Sequence, residues 1–156
     1  MGLLDFVKGA GAKLSGKAAR EEKAEAEAFE ELRKGNTLTQ HVIAMGLKVE
    51  ELKITYDDGI ATLQGTCPSQ GEKEKVILTV GNVAGVARVD DRIVVEKPEP
   101  EAVFYTVVSG DTLSKIAKVQ YGDAMKYPVI FEANKPMLAD PDKIYVGQVL
   151  RIPPMS

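Results

Sequence analysis

Apolar and polar positions alternate from residue 52 onward. Leu52, Ile54 and Tyr56 lead into Asp57-Asp58-Gly59, and Ala61 and Leu63 follow before Gly65. Two period-two runs joined by an Asp-Gly turn predict a β-hairpin. Ser69 then stands three residues ahead of Glu72, the spacing of a capping box, and Val76, Ile77 and Val80 follow at helical intervals. A helix therefore opens at Ser69 and closes at Gly81-Asn82. Residues 85–95 return as a strand, so residues 36–97 read α-β-β-α-β.

Downstream, Phe104-Tyr105-Thr106-Val107-Val108 is a short strand, and Ser109-Gly110-Asp111-Thr112 turns into a helix with Leu113, Ile116 and Ala117 on its apolar face. A second helix is expected over Tyr127 to Ala133 and a closing strand over Val149 to Ile152, stopped by Pro153. This segment reads β-α-α-β. Upstream, Leu3, Phe6, Val7, Ala10 and Leu14 recur at steps of three and four, an apolar stripe on a helix. Gly9, Gly11 and Gly16 each weaken that helix by up to ~1 kcal/mol, so it ends or bends near Gly9 to Gly11. Residues 17–34 form a strong second helix with a Glu30–Lys34 pair. Its expected buried positions are Ala24 or Ala28, Phe29 and Leu32. Lys97-Pro98-Glu99-Pro100-Glu101 is an extended linker. The fold class is α+β in two small domains, 1–97 and 103–156, joined by 98–102.

Composition narrows the chemistry. The 156 residues carry a net charge of −3, spread evenly along the chain. With no basic face, nucleic acid is not an expected partner. One Cys and one His exclude a disulfide framework and a Cys/His-based zinc site. No apolar run is long enough to span a bilayer, and the amino-terminal residues lack the basic and apolar regions of a signal peptide. The expected location is cytoplasmic and the expected state monomeric. Asp57-Asp58 reads as a hairpin turn and Asp90-Asp91 as a solvated strand bend rather than as metal sites. His41 and Cys67 have no partners at catalytic spacing, and no phosphate loop or nucleophile elbow is present, so no enzyme is expected.

Residues 105–153 resemble a LysM domain, through Tyr105-x-Val107-x-x-Gly110-Asp111-Thr112-Leu113-x-x-Ile116-Ala117, Tyr121-Gly122, Ile130, Asn134 and Ile144-x-x-Gly147-Gln148-x-Leu150-x-Ile152-Pro153. That family binds N-acetylglucosamine-containing glycans in a shallow groove. The resemblance implies contacts from Gly110, Asp111, Thr112 and Leu113, with Asn134 and Ile144 opposite. The Pro-containing stretch 135–143 is longer than the family pattern and can reshape that groove. The preceding segment resembles a BON domain through Gly59-x-Ala61-x-Leu63-x-Gly65, Ser69, Lys73 and Val83-x-Gly85-Val86-x-x-Val89. The whole order, from the Met1-Gly2-Leu3 opening to Gly147-Gln148-Val149-Leu150-Arg151-Ile152-Pro153, resembles the bacterial potassium-binding proteins built from one BON and one LysM domain. That resemblance implies a K⁺-binding sensor, with peptidoglycan binding as the alternative. A third reading lays the Leu3 to Leu14 stripe on a membrane surface.

K⁺ is large and weakly charged, and neutral carbonyl oxygens replace its hydration shell, whereas carboxylate clusters favour Ca²⁺ or Mg²⁺. Bent, glycine-punctuated backbone at a helix end, where unpaired carbonyls carry partial negative charge, is the pattern to seek. Residues 81–86 and 7–11 have it. The expected K⁺ ligands are the carbonyls of Val7, Ala10, Gly81, Val83 and Val86. Against this stands the reading of both segments as ordinary helix caps closed by Schellman-type bonds and water.

Overall fold

The computed structural model describes residues 17–154. The apolar stripe from Leu3 to Leu14, with Val7 and Ala10, lies outside them. A long helix α1 (Lys17–Ala44) precedes strands β1 (Glu50–Asp57) and β2 (Ile60–Ser69), helix α2 (Gln70–Gly81) and strand β3 (Arg88–Lys97). Strand β2 is central, with β1 antiparallel and β3 parallel to it. Local chemistry sets both pairings. Asp58 and Gly59 adopt φ of 49° and 87°, the left-handed pair that a two-residue hairpin turn requires. A parallel return needs a crossover, which α2 supplies. Ser69 caps α2 by accepting from Glu72 N–H at 3.3 Å. Glu72 does not reciprocate; its carboxylate accepts from Lys48 N–H. Leu38, Val42, Ile54, Ala61, Leu63, Cys67, Val76, Val80 and Ile93 form the buried core between helices and sheet.

Two expectations about α1 fail for one reason. The helix does not stop near Lys34 but runs unbroken through Gly35-Asn36. A Cβ at Gly35 would stand 2.7 Å from Ile54 O, so glycine here lets the helix lie directly on β1. That close approach offsets the ~1 kcal/mol a mid-helix glycine costs relative to Ala. Burial accordingly falls on Gly35, Leu38 and Val42. Ala24 and Ala28 are exposed, as are Phe29 and Leu32, at 60% and 63% among the described residues. Glu30 pairs with Arg33 at 2.9 Å, not with Lys34. Nor do Asp90 and Asp91 mark a bend. They lie inside β3, where Asp91 pairs with Lys73 of α2 at 3.0 Å and Asp90 with Arg92 at 3.1 Å.

Residues 98–102 carry no regular structure. Beyond them come β4 (Val103–Thr106), α3 (Leu113–Tyr121), a 3₁₀ turn (Ala124–Lys126), α4 (Tyr127–Ala133) and β5 (Val149–Ile152), with β4 and β5 antiparallel. Thr112 caps α3 by accepting from Lys115 N–H, and Gly122 ends it in the left-handed region. Val107, Leu113, Ile116, Ala117, Ile130, Leu138, Leu150 and Ile152 make a second core.

The two cores meet along one face of α2, at Gly71, Glu74, Leu78 and Asn82. Leu78 is 3% exposed and belongs to neither core. Glu74 accepts from Arg151 at 2.7 Å, with side chains 3% and 11% exposed. It also accepts from Ala102 N–H and Gln70, both at 2.9 Å. Gly71 lies beside the guanidinium, which a Cβ there would touch at an ordinary contact distance of 3.6 Å. Farther along, Asn82 closes the main chain of Val149: Val149 N–H donates to Asn82 Oδ1 at 2.8 Å, and Asn82 Nδ2 donates to Val149 O at 2.9 Å. Two residues on, Asn134 closes Arg151 in the same way, at 2.8 and 2.9 Å. The outer edge of β5 is thus covered by two asparagine amides.

Candidate functional site

Helix α2 ends with Asn82 N–H donating to Leu78 O at 3.0 Å, and the chain reverses through residues 82–87 before β3. Two short turns follow each other there, Val83 N–H to Val80 O and Val86 N–H to Val83 O, each at 3.1 Å. Val83 and Val86 pack against the first core. Gly85 adopts φ of 96°. Ala87 and Arg88 N–H both donate to Gly59 O at 2.7 and 3.1 Å, which seats the loop on the hairpin turn.

Two side chains strap the loop from outside. Tyr56 OH donates to Gly85 O at 2.8 Å. Lys34 Nζ donates to Ala84 O at 3.3 Å and lies 5.6 Å from the centre of the Tyr56 ring. Among the described residues no hydrogen bond reaches the carbonyls of Gly81 or Val86. Such unpaired carbonyls at a helix end attract cations. The Schellman alternative is absent in its usual form, because Asn82 caps α2 at φ −85° rather than in the left-handed region. Gly81, Val83 and Val86 therefore share one loop, with Val83 O already accepting one bond.

Beside the loop, Glu31, Asp57 and Asp58 bring carboxylate oxygens within 4.8 Å of one another. Glu31 accepts from Asp58 N–H at 3.0 Å. Burial is the main reason its carboxyl is held above its ordinary value; Asp57 adds to the rise and the Asp58 N–H opposes it.

The positions implied for glycan binding are occupied differently. Asp111 accepts from Tyr105 OH at 2.7 Å and from Val108 N–H at 2.9 Å. The Tyr105 bond comes first in holding the Asp111 carboxyl below its ordinary value, and it pushes the phenol up. Thr112 is the α3 cap, and Leu113 is 2% exposed in the core. Asn134 is 1% exposed and its amide is committed to Arg151 and to Ile130 O. Ile144 packs on the second core. Gly110 supplies a turn at φ 88° and has open space where a Cβ would stand. In the stretch 135–143, Leu138 enters the core and Met137 Sδ lies 3.2 Å from Asn82 Nδ2.

Lys34, Tyr56 and Asn82 are the contributors that sequence reading missed. Nothing local marks them, since their partners lie 50, 29 and 67 residues away. Among the described residues, no helix is long and apolar enough to cross a membrane.

Comparison with known proteins adds identity to this geometry. The family model of the BON domain matches residues 36–97, and that of the LysM domain matches residues 105–153. Potassium binding protein Kbp of Escherichia coli is 46% identical over 158 aligned positions, which cover 98% of this chain and 99% of the relative. An esterase of Mycobacterium tuberculosis is 55% identical over 53 residues, but these are 11% of that protein and 34% of this chain. A Deinococcus radiodurans protein without an assigned function is 53% identical over 49 residues, 31% of this chain and 19% of its own.

Proposed function

The chain belongs to the BON–LysM family of the potassium binding protein Kbp, and from that premise we propose that it is a cytoplasmic K⁺ sensor. The ion is held by main-chain oxygens of Gly81, Val83 and Val86, joined by Val7 and Ala10 from the amino-terminal segment. Its occupancy biases how that segment, the first core and the second core are arranged. The units are 1–97 and 103–156, with 98–102 as the linker, and the chain acts as a monomer.

One observation carries the reading. In a loop strapped by Tyr56 and Lys34, the Gly81 and Val86 carbonyls accept no hydrogen bond among the described residues. Uncharged oxygens suit K⁺, because they replace a loosely held hydration shell without the strong field that selects divalent ions. A ligand that binds only the folded chain stabilises it by mass action.

Calorimetric titration with KCl and NaCl at matched ionic strength tests the proposal. Heat and a rise in melting temperature are expected with K⁺ alone. Deleting residues 2–11 should abolish that rise while the second core still melts cooperatively. Equal responses to both salts would remove K⁺ selectivity, and a full K⁺ response after the deletion would remove Val7 and Ala10 from the site.

A further inference from the structure

We infer that Asn82 is the residue through which ion occupancy and docking of the second core are coupled. This rests on the K⁺ reading above. Asn82 lies between Gly81 and Val83, two of the proposed ligands. Its backbone N–H and its Nδ2 both donate to Leu78 O at 3.0 Å, which fixes residue 82 to the end of α2. The same amide closes both main-chain polar groups of Val149. The bond pair acts as one rung of sheet contributed by a side chain.

A backbone shift at 81–83 that improves carbonyl geometry around an ion must therefore move, or be held by, the edge of β5. The hold is reinforced at Glu74–Arg151, two turns back along α2 and outside the ion loop. Coupling of this kind is reciprocal: whatever docking contributes to ion affinity, the ion contributes to docking. Strand β5 supplies its own control. The Val149 and Arg151 amides sit two residues apart on one edge in equivalent clasps, the first closed by Asn82 across the junction and the second by Asn134 within the same unit.

Amide hydrogen exchange by NMR on the full chain, with KCl and with NaCl, reads the two clasps separately. K⁺ should slow exchange at Val149 about fivefold or more, the lower range of allosteric couplings, and leave Arg151 unchanged. Asn82→Ala should leave Val149 exchanging fast in both salts, keep Arg151 protected, and weaken K⁺ binding in calorimetry about fivefold or more. Arg151→Met leaves the loop sequence intact and keeps the main chain that Asn134 closes. It should weaken K⁺ in the same direction by loosening the dock. Equal K⁺ protection of both amides, or wild-type K⁺ affinity in both variants, overturns the coupling while leaving the K⁺ site standing. Absence of any K⁺ heat in the unmodified chain overturns the site itself, and the coupling with it.

Discussion

The loop at 81–86 and the turn at 110–113 occupy similar places, each a glycine-bearing bend beside a helix terminus, yet they leave different groups unmatched. At 110–113 the side chains close upon the fold. Asp111 holds Tyr105 and Val108, Thr112 caps α3, Leu113 fills the core, and Asn134 is committed to β5. At 81–86 the side chains are also engaged, with Val83 and Val86 packed against the first core and Asn82 on Val149. Two main-chain oxygens are nonetheless left without a donor among the described residues. Carbonyls at a helix end that no donor reaches attract cations, and the proposed ion site rests on those two. A motif shared with a glycan-binding family is compatible with residues whose whole role is structural.

The largest effect that sharpens this contrast is expected from Asn134→Ala. It opens both main-chain groups of Arg151 and Ile130 O in a buried setting, which costs about 3 kcal/mol, read by urea denaturation. If the variant instead keeps its stability and loses saturable retention on peptidoglycan, the contrast reverses and the turn is a glycan site.

A smaller effect is expected on the loop side. Lys34 sets a positive charge against Ala84 O, beside the proposed ion. Lys34→Met should tighten K⁺ about twofold, as expected for a solvent-screened like charge, while Lys34→Arg should not. Weaker K⁺ binding in the Met variant would make Lys34 a brace and not a competitor.

The smallest effect concerns Glu31. Its carboxyl is raised in the folded chain, chiefly by burial. The stability it contributes is therefore present below its unfolded pKa and lost as pH rises through its folded value. Glu31→Gln, which can still accept from Asp58 N–H, should raise the melting temperature by about one degree at pH 7. That gain should vanish on acidification below about pH 4. A gain that persists in acid would assign the effect to packing.

What was legible in the sequence follows the range of each interaction. The Asp58-Gly59 turn, the Ser69 cap and the 127–133 helix each depend on residues within a few positions, and local patterns carried them. Gly35 misled because a glycine between two helical patterns looks like a break, while its reason is Ile54 O on β1. Phe29 and Leu32 misled because a periodic apolar face says nothing about how far along a helix the sheet extends. The 81–86 loop is visible in the sequence as glycine-punctuated backbone. Its straps and its clasp are not, since Lys34, Tyr56, Asn82 and Arg151 are polar residues with unremarkable neighbours and partners from other elements.

Cys67 has a practical bearing on all these measurements. It is the single cysteine of the chain, fully buried in β2, and burial pushes its thiol to about 11. At neutral pH only ~1 in 10⁴ of such thiols is the reactive thiolate. Maleimide and iodoacetamide dyes will pass over it in the native state. A cysteine introduced on the surface, one on each side of the 98–102 segment, would then be labelled without first removing the natural one. The natural cysteine can thus stay in place while a surface fluorophore pair tests the proposed rearrangement of one half against the other in real time.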